Sequence, residues 1–150
     1  FDYRSSIKPY KGGEYMQKTS KTVDILQTNR LYLDKIRNLC AEKGSQLILY
    51  NAPSPKNSTY AKHNVIQKYA DTYGLQYIDF NLLTDEINID WATDTHDGGD
   101  HLNINGALKV SKYMGKYLAE HTKLADRRGD PKYSSWSDLY EVYLKKTDQI

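Results

Sequence analysis

Between positions 94 and 101 the chain reads Asp94-Thr95-His96-Asp97-Gly98-Gly99-Asp100-His101, three carboxylates, two imidazoles and two adjacent glycines in a short span. Like charges this close repel one another, and paired glycines lose much chain entropy on folding, so the stretch reads as a site of chemistry rather than as a connector. An imidazole beside a carboxylate is the pair that general acid–base work needs. The neutral ring accepts a proton, and the carboxylate fixes its tautomer and orientation. The same donors form a second candidate, a metal-binding loop. Asp94, His96, Asp97, Asp100 and His101 offer oxygen and imidazole ligands and the glycines permit wrapping, although the spacing matches neither an EF-hand nor His-Glu-x-x-His. Proton transfer centred on His101 is the primary reading, with His96 as a surface or cleft-wall residue.

The surrounding elements must hold this loop in place. Asn103 is well set as an N-cap, and the spacing of Ala107, Val110, Met114, Tyr117 and Leu118 predicts a helix over 104–121 with one apolar stripe. Such a position favours a neutral imidazole at His101 through the helix dipole. Upstream, Ser20 or Thr22 is expected to cap a helix running to about Lys43, with Ile25, Asn29, Tyr32, Leu33, Ile36 and Cys40 on its inner face and Gly44 ending it. The apolar run 47–50 predicts a strand buried in a parallel sheet. Pro53 and Pro55 stop that strand, a second helix follows over 59–73, Gly74 closes it, and 75–80 is the next strand. Helix-strand-helix-strand alternation implies parallel pairing and an α/β fold. A last helix over 135–146, within a C-terminal extension 126–150, is expected to pack back through Trp136, Leu139, Tyr140 and Tyr143. Residues 1–20 read as an irregular lead-in with a possible third strand in 1–10.

Bulk composition narrows the functions. At 150 residues the chain has the size of one domain. With 21 basic against 19 acidic side chains and no basic block, nucleic acid is excluded as a partner on electrostatic grounds. Cys40 is the one cysteine, which rules out an intrachain disulfide, and it reads as a small buried hydrophobe on the inner face of its helix rather than as a nucleophile. Fourteen tyrosines against two phenylalanines suit amphipathic helix faces first, and a wet, glycan-facing cleft second. No apolar run is long enough for a membrane span. A start at Phe1 without an initiator Met is read as a processed product or a piece of something longer.

Asp97, His101-Leu102-Asn103 and Gly106-Ala107 at the head of a helix resemble the last motif of the SGNH (GDSL-type) hydrolases. The helix ending Leu39-Cys40-Ala41-Glu42-Lys43-Gly44, the strand 46–51 with Ala52-Pro53-Ser54-Pro55 after it, and the strand 75–80 are similar to the C-terminal half of that fold. The nearest subgroup resembles the teichoic-acid D-alanyl transfer proteins and the alginate O-acetyltransferase-like surface proteins. The resemblance spans roughly residues 20–140 and is strongest over 90–118. It implies a three-layer α/β sandwich with a mostly parallel, flavodoxin-like sheet, incomplete at its N-terminus. It also implies an Asp–His pair completing a triad with a serine, and a small ester or acylated cell-surface glycan as substrate. No cofactor is implied, and the implied location is extracytoplasmic.

The family's usual spacing puts the Asp three residues before the His, where this chain has Gly98. Asp97 is therefore the first candidate, reaching back if the loop bulges, and Asp94 the second, while Asp100 is expected to project elsewhere. No Gly-Asp-Ser or Gly-x-Ser turn occurs. Ser5 and Ser6 follow no strand, Ser111 lies inside a helix, and Ser54 follows a strand but sits between two prolines without the glycine such a turn needs. Ser54, Asn51 and Asn103 are accordingly read as substrate-binding. The serine is expected upstream or on another chain, which would also complete a sheet that two strands leave short. The reading from a different class is a non-catalytic module that holds polysaccharide in its tyrosine-rich cleft.

Overall fold

The structure is a computed structural model and describes residues 4–147. In chain order it contains helix α1 (Gln27–Glu42), strand β1 (Ile48–Asn51), helix α2 (Tyr60–Tyr73), strand β2 (Gln76–Asp79), helix α3 (Ile104–His121) and helix α4 (Ser134–Thr147), with 3₁₀ turns at Phe80–Leu82 and Pro131–Tyr133. β1 and β2 pair in parallel, Ile48 opposite Gln76 and Asn51 opposite Asp79, and α2 is the connection between them. The chain is thus a mixed α/β fold with a small parallel sheet.

Alternation along the strands gives each face its own cover. Ile78 and Phe80 point to one face, where with Ile87 they form the buried core and meet Ile48, Ile89, Val110, Tyr113, Met114 and Tyr117. Tyr77 points to the other face, where the His63 ring of α2 stacks on it with centroids 5.6 Å apart. The caps explain where these helices begin and end. The Thr59 hydroxyl accepts the Lys62 N–H, and Gly74 ends α2 in the left-handed region at φ +63°. The Asn103 side chain accepts the N–H groups of Asn105 and Gly106 to start α3. At Gly106 a Cβ would stand 2.6 Å from the Asp94 carbonyl, so only glycine lets α3 approach the loop this closely.

Three expectations for the flanking segments need correction. The first helix starts at Gln27, behind Leu26, which makes no side-chain cap bond, rather than at Ser20 or Thr22. The reason is tertiary: the Asn64 side chain of α2 donates to the Thr19 and Lys21 carbonyls and holds that segment out of the helix. The packed face of α1 is also rotated from the apolar stripe. Asp34 accepts from the Tyr69 hydroxyl at 2.8 Å and from Arg30 at 3.1 Å, and the Arg37 guanidinium lies 3.6 Å from the Tyr73 ring centroid. These polar and cation–π contacts turn Tyr32 and Ile36 outward, with half or more of each exposed. Residues 4–10 form no strand; they make backbone bonds to the acidic loop instead.

The sheet keeps one side open. β1 has no strand neighbour beyond β2 among the described residues, and a cleft of about 920 Å³ runs along it, walled by Leu33 of α1, Val65 and Ile66 of α2 and Val110 of α3. α4 buries none of its described residues, and Trp136 is 72% exposed. Of the stripe expected to pack back, Trp136, Leu139 and Tyr140 therefore stay exposed and Tyr143 is half-buried, and residues 148–150 of the expected extension lie outside the described part.

Candidate active site

The acidic stretch folds as a pinched hairpin. Thr95 and Leu102 form an antiparallel bridge, the His96 N–H donates to the His101 carbonyl, and the Thr95 hydroxyl donates to the same carbonyl at 2.9 Å. Gly98 and Gly99 turn the tip with φ of +81° and +100°, a region costly for any residue with a Cβ. A Cβ at Gly99 would also meet the Tyr10 ring at 2.7 Å.

The lead-in segment straps this hairpin from outside. Lys8 N–H donates to the Thr95 carbonyl, Gly98 N–H to the Lys8 carbonyl, Tyr10 N–H to the Trp91 carbonyl and Ile104 N–H to the Arg4 carbonyl. Edge-on contacts among Tyr10, Tyr15 and Trp91, with centroids about 6 Å apart, fasten the strap's far end.

Within the hairpin, Asp97 and His101 meet. The Asp97 Oδ1 accepts the backbone N–H groups of Asp100 and His101, each at 2.9 Å, and this leaves Oδ2 2.7 Å from His101 Nδ1. The bulge allowed by the two glycines gives Asp97 its reach. His101 Nε2 has no hydrogen-bond partner among the described residues, and the side chain, 68% exposed, lines the mouth of the cleft. The nitrogen opposite the carboxylate is thus without a protein partner among the described residues, on a side chain that lines the cleft, which is what a general base needs.

Electrostatics follow from these contacts. For His101 the Asp97 hydrogen bond is the largest influence and raises its pKa; partial burial opposes this, Asp100 adds to it and Lys56 subtracts from it. The net direction is upward, against the helix-dipole expectation, because a carboxylate at 2.7 Å outweighs a half-charge one turn away. For Asp97, burial pushes the carboxyl up, yet the bonds from the His101 N–H, the His101 ring and the Asp100 N–H together hold it well below the ordinary carboxylate range.

The signs for stability differ. His101 contributes stability that is fully present below its unfolded value near 6.5 and is lost as pH rises through the raised folded value. Asp97 contributes stability present above about 3.8 and lost as pH falls through its depressed value. An NMR titration of the imidazole C–H signals is expected to place His101 above 6.5 in the native chain, and Asp97→Asn to bring it down. An unchanged His101 midpoint in that variant would show that the pair does not hold in solution.

The other sequence candidates are placed as follows. Asp94 does not reach His101. Its carboxylate, 2% exposed, accepts Lys109 Nζ at 2.6 Å and the Asp90 N–H at 2.8 Å, so it anchors the loop to α3. Asp100 projects to the side, where the Asn57 side chain donates to it, though one oxygen remains 3.9 Å from His101 Nδ1. Asn103 is buried with its side chain filled, accepting within α3 and donating to the Ser6 and Thr93 carbonyls, which makes it a cap rather than a substrate contact. Ser54 lines the cleft, but its hydroxyl donates to the Asp100 carbonyl at 2.7 Å, so its proton is not offered to His101. Asn51 lines the cleft from the end of β1 and donates to Asp79 and Ser58.

A buried cluster at the carboxyl ends of both strands had no signal in the sequence. The Asp79 carboxylate, 1% exposed, lies 3.0 Å from His63 Nδ1 and accepts from the Tyr77 hydroxyl, the Asn81 N–H and side chain, and Asn51. Asn81 passes the connection on, its Oδ1 accepting the Ser54 N–H and the Tyr15 hydroxyl. Burial and the neighbouring Asp79 push the phenols of Tyr15 and Tyr77 well up, so both stay protonated donors. Period-based reading misses this cluster because its members come from four separate segments and each looks like an ordinary polar residue.

His101 with Asp97 can therefore move a proton at the mouth of a cleft that Ser54, Asn51 and Tyr77 also line. No helix among the described residues is long and apolar enough to cross a membrane. No protein-family model, curated protein or solved structure matches the chain.

Proposed function

We propose that this chain is the acid–base part of an SGNH-like serine esterase or O-acyltransferase that acts on an ester, an acyl group of a cell-surface glycan being the substrate class. The observation that carries the reading is the Asp97–His101 pair at 2.7 Å, with His101 Nε2 unpartnered among the described residues at the cleft mouth. In the proposed reaction a serine Oγ attacks the ester carbonyl carbon as its proton passes to His101 Nε2. Asp97 Oδ2 holds the Nδ1 proton throughout. Nε2 then gives its proton to the departing alkoxide, leaving an acyl-serine. Water or a sugar hydroxyl attacks that ester, losing its proton to Nε2, and the proton returns to serine as the acyl group leaves. No cofactor takes part.

The serine comes from a segment outside these elements. A further strand, from the same polypeptide or from another chain, would lie along the open edge of β1 between α2 and α3, completing a three-layer sandwich. Parallel to β1, that strand would run toward the end of the cleft where His101 stands, since ligand crevices in open α/β sheets lie beyond the strands' carboxyl ends. By the same resemblance the site of action is extracytoplasmic. The test is turnover of a chromogenic acetyl ester by the polypeptide as its gene encodes it, with and without His101→Ala. Loss of turnover in the variant supports the reading, and equal turnover ends it.

A further inference from the structure

We infer that the hairpin 95–102 also binds a divalent transition-metal ion of the zinc type, held by His96, Asp97 and His101, and that this ion and the base function of His101 exclude each other. His96 and His101 stand opposite one another beside the Thr95–Leu102 bridge, as a cross-strand pair does, with their rings stacked at 15° and centroids 5.9 Å apart. Asp97 reaches between them. Its Oδ1 is fixed by two backbone N–H groups, and its Oδ2 is left 2.7 Å from His101 Nδ1 and 4.0 Å from His96 Nε2.

The three donor atoms all lie within 4.8 Å of one another. Tetrahedral zinc with bonds of about 2.0–2.1 Å needs donors about 3.3 Å apart, so one contact must open and the others close by roughly an ångström. Side-chain rotation at the rim of a glycine-tipped loop supplies that movement without unpinning the hairpin. The backbone bonds to Oδ1 act as the outer support that orients a ligating carboxylate. A fourth position faces solvent, because His101 is exposed.

Donor chemistry selects the ion. Two imidazoles and one carboxylate suit zinc, cobalt, nickel or copper and not magnesium or calcium, which prefer oxygen alone. Lys56 stands beside the site, its ammonium donating to the Asp97 carbonyl at 2.7 Å, and opposes the ion's charge. Asp94 adds nothing, being held by Lys109.

An ion on His101 Nδ1 displaces the proton shared with Asp97. The neutral ring must then carry its one proton on Nε2, which removes the lone pair that would accept a serine proton. Metal binding stands on the geometry alone; the inhibition rests on the hydrolase reading above.

Calorimetric titration of the chain with Zn²⁺ tests the site, supported by Co²⁺ titration read as visible absorption bands. The expected result is saturable one-to-one binding, no comparable heat with Mg²⁺, and affinity at least about tenfold weaker in His96→Ala, since losing a ligand costs no less than losing its outer support. His121→Ala is the control for adventitious binding and should bind as the native chain does. Circular dichroism checks that His96→Ala is folded, and His96→Gln provides a second variant if it is not. Absence of saturable binding, or unchanged affinity in a folded His96 variant, overturns the site. A chain that binds Zn²⁺ yet hydrolyses no ester keeps the metal site and loses the hydrolase. An esterase that binds Zn²⁺ one-to-one yet keeps its full turnover retains the metal site and overturns the mutual exclusion.

Discussion

His101→Ala is expected to lower ester turnover by a factor of about 10² or more, because the serine loses the group that takes its proton in the transition state. The geometry makes this sharper than a generic loss. His101 is largely exposed and contributes little packing, so the folded state should survive and the defect should appear in kcat rather than in yield. Asp97→Asn separates the roles within the pair. An amide in place of Oδ2 no longer serves as a charged acceptor for the Nδ1 proton, so the productive tautomer is lost while the loop keeps its shape.

The pH profile supplies an independent check. The base form of His101 requires deprotonation, and its raised pKa means that kcat/KM in the native protein climbs through a midpoint above 6.5. In Asp97→Asn that limb should move toward lower pH as the maximum falls. A rate that is independent of pH across this range, or equal in both variants, would mean that another group takes the proton.

Asp79→Ala is expected to destabilise the fold by about 3–5 kcal/mol, the range for removing one partner of a buried charged network. The carboxylate gathers His63 from α2, Tyr77 from β2, Asn81 from the following turn and Asn51 from β1. Removing it leaves several buried donors without an acceptor, each with a cost of about 1–3 kcal/mol that partial rearrangement and water reduce. Against a total stability of roughly 5–15 kcal/mol the loss is large. Urea denaturation would show it as a lower midpoint with an unchanged slope. A midpoint like that of the native chain would mean that the cluster is a spectator and that the core of Ile78, Phe80 and Ile87 holds the strands alone.

What the sequence revealed and what it hid divide along the range of the forces involved. Local signals were legible: Thr59 and Gly74 bound α2, Asn103 starts α3, and the glycine pair marks where the loop bulges enough for Asp97 to touch His101. Apolar periodicity also found Val110, Met114 and Tyr117 on the core face of α3, although Ala107 of the expected stripe is exposed and Tyr113 packs on the core with them. Long-range polar pairing was not legible. Lys109 lies fifteen positions from Asp94 and claims its carboxylate, so sequence proximity to His101 misdirected the second choice. Asp34 and the arginines of α1 prefer tyrosines of α2, which turns the helix away from the orientation its apolar stripe calls for. α4 shows the opposite failure, a sound amphipathic pattern with nothing buried beneath it.

The strap over residues 4–10 has a consequence of its own. It grips the hairpin through main-chain groups, which any amino acid except proline at a donating position supplies equally. Apart from Tyr10, whose ring packs on Gly99 and Trp91, its side chains are thus free to drift while its function is kept, and most of the ordering is transmitted by the path of the chain rather than by its letters. Detachment of that ribbon would release both Lys8 bonds, to Thr95 on the incoming arm and to Gly98 at the tip, at once. Strap and hairpin should therefore open and close as one cooperative unit, with the poise of His101 set by the least informative part of the sequence.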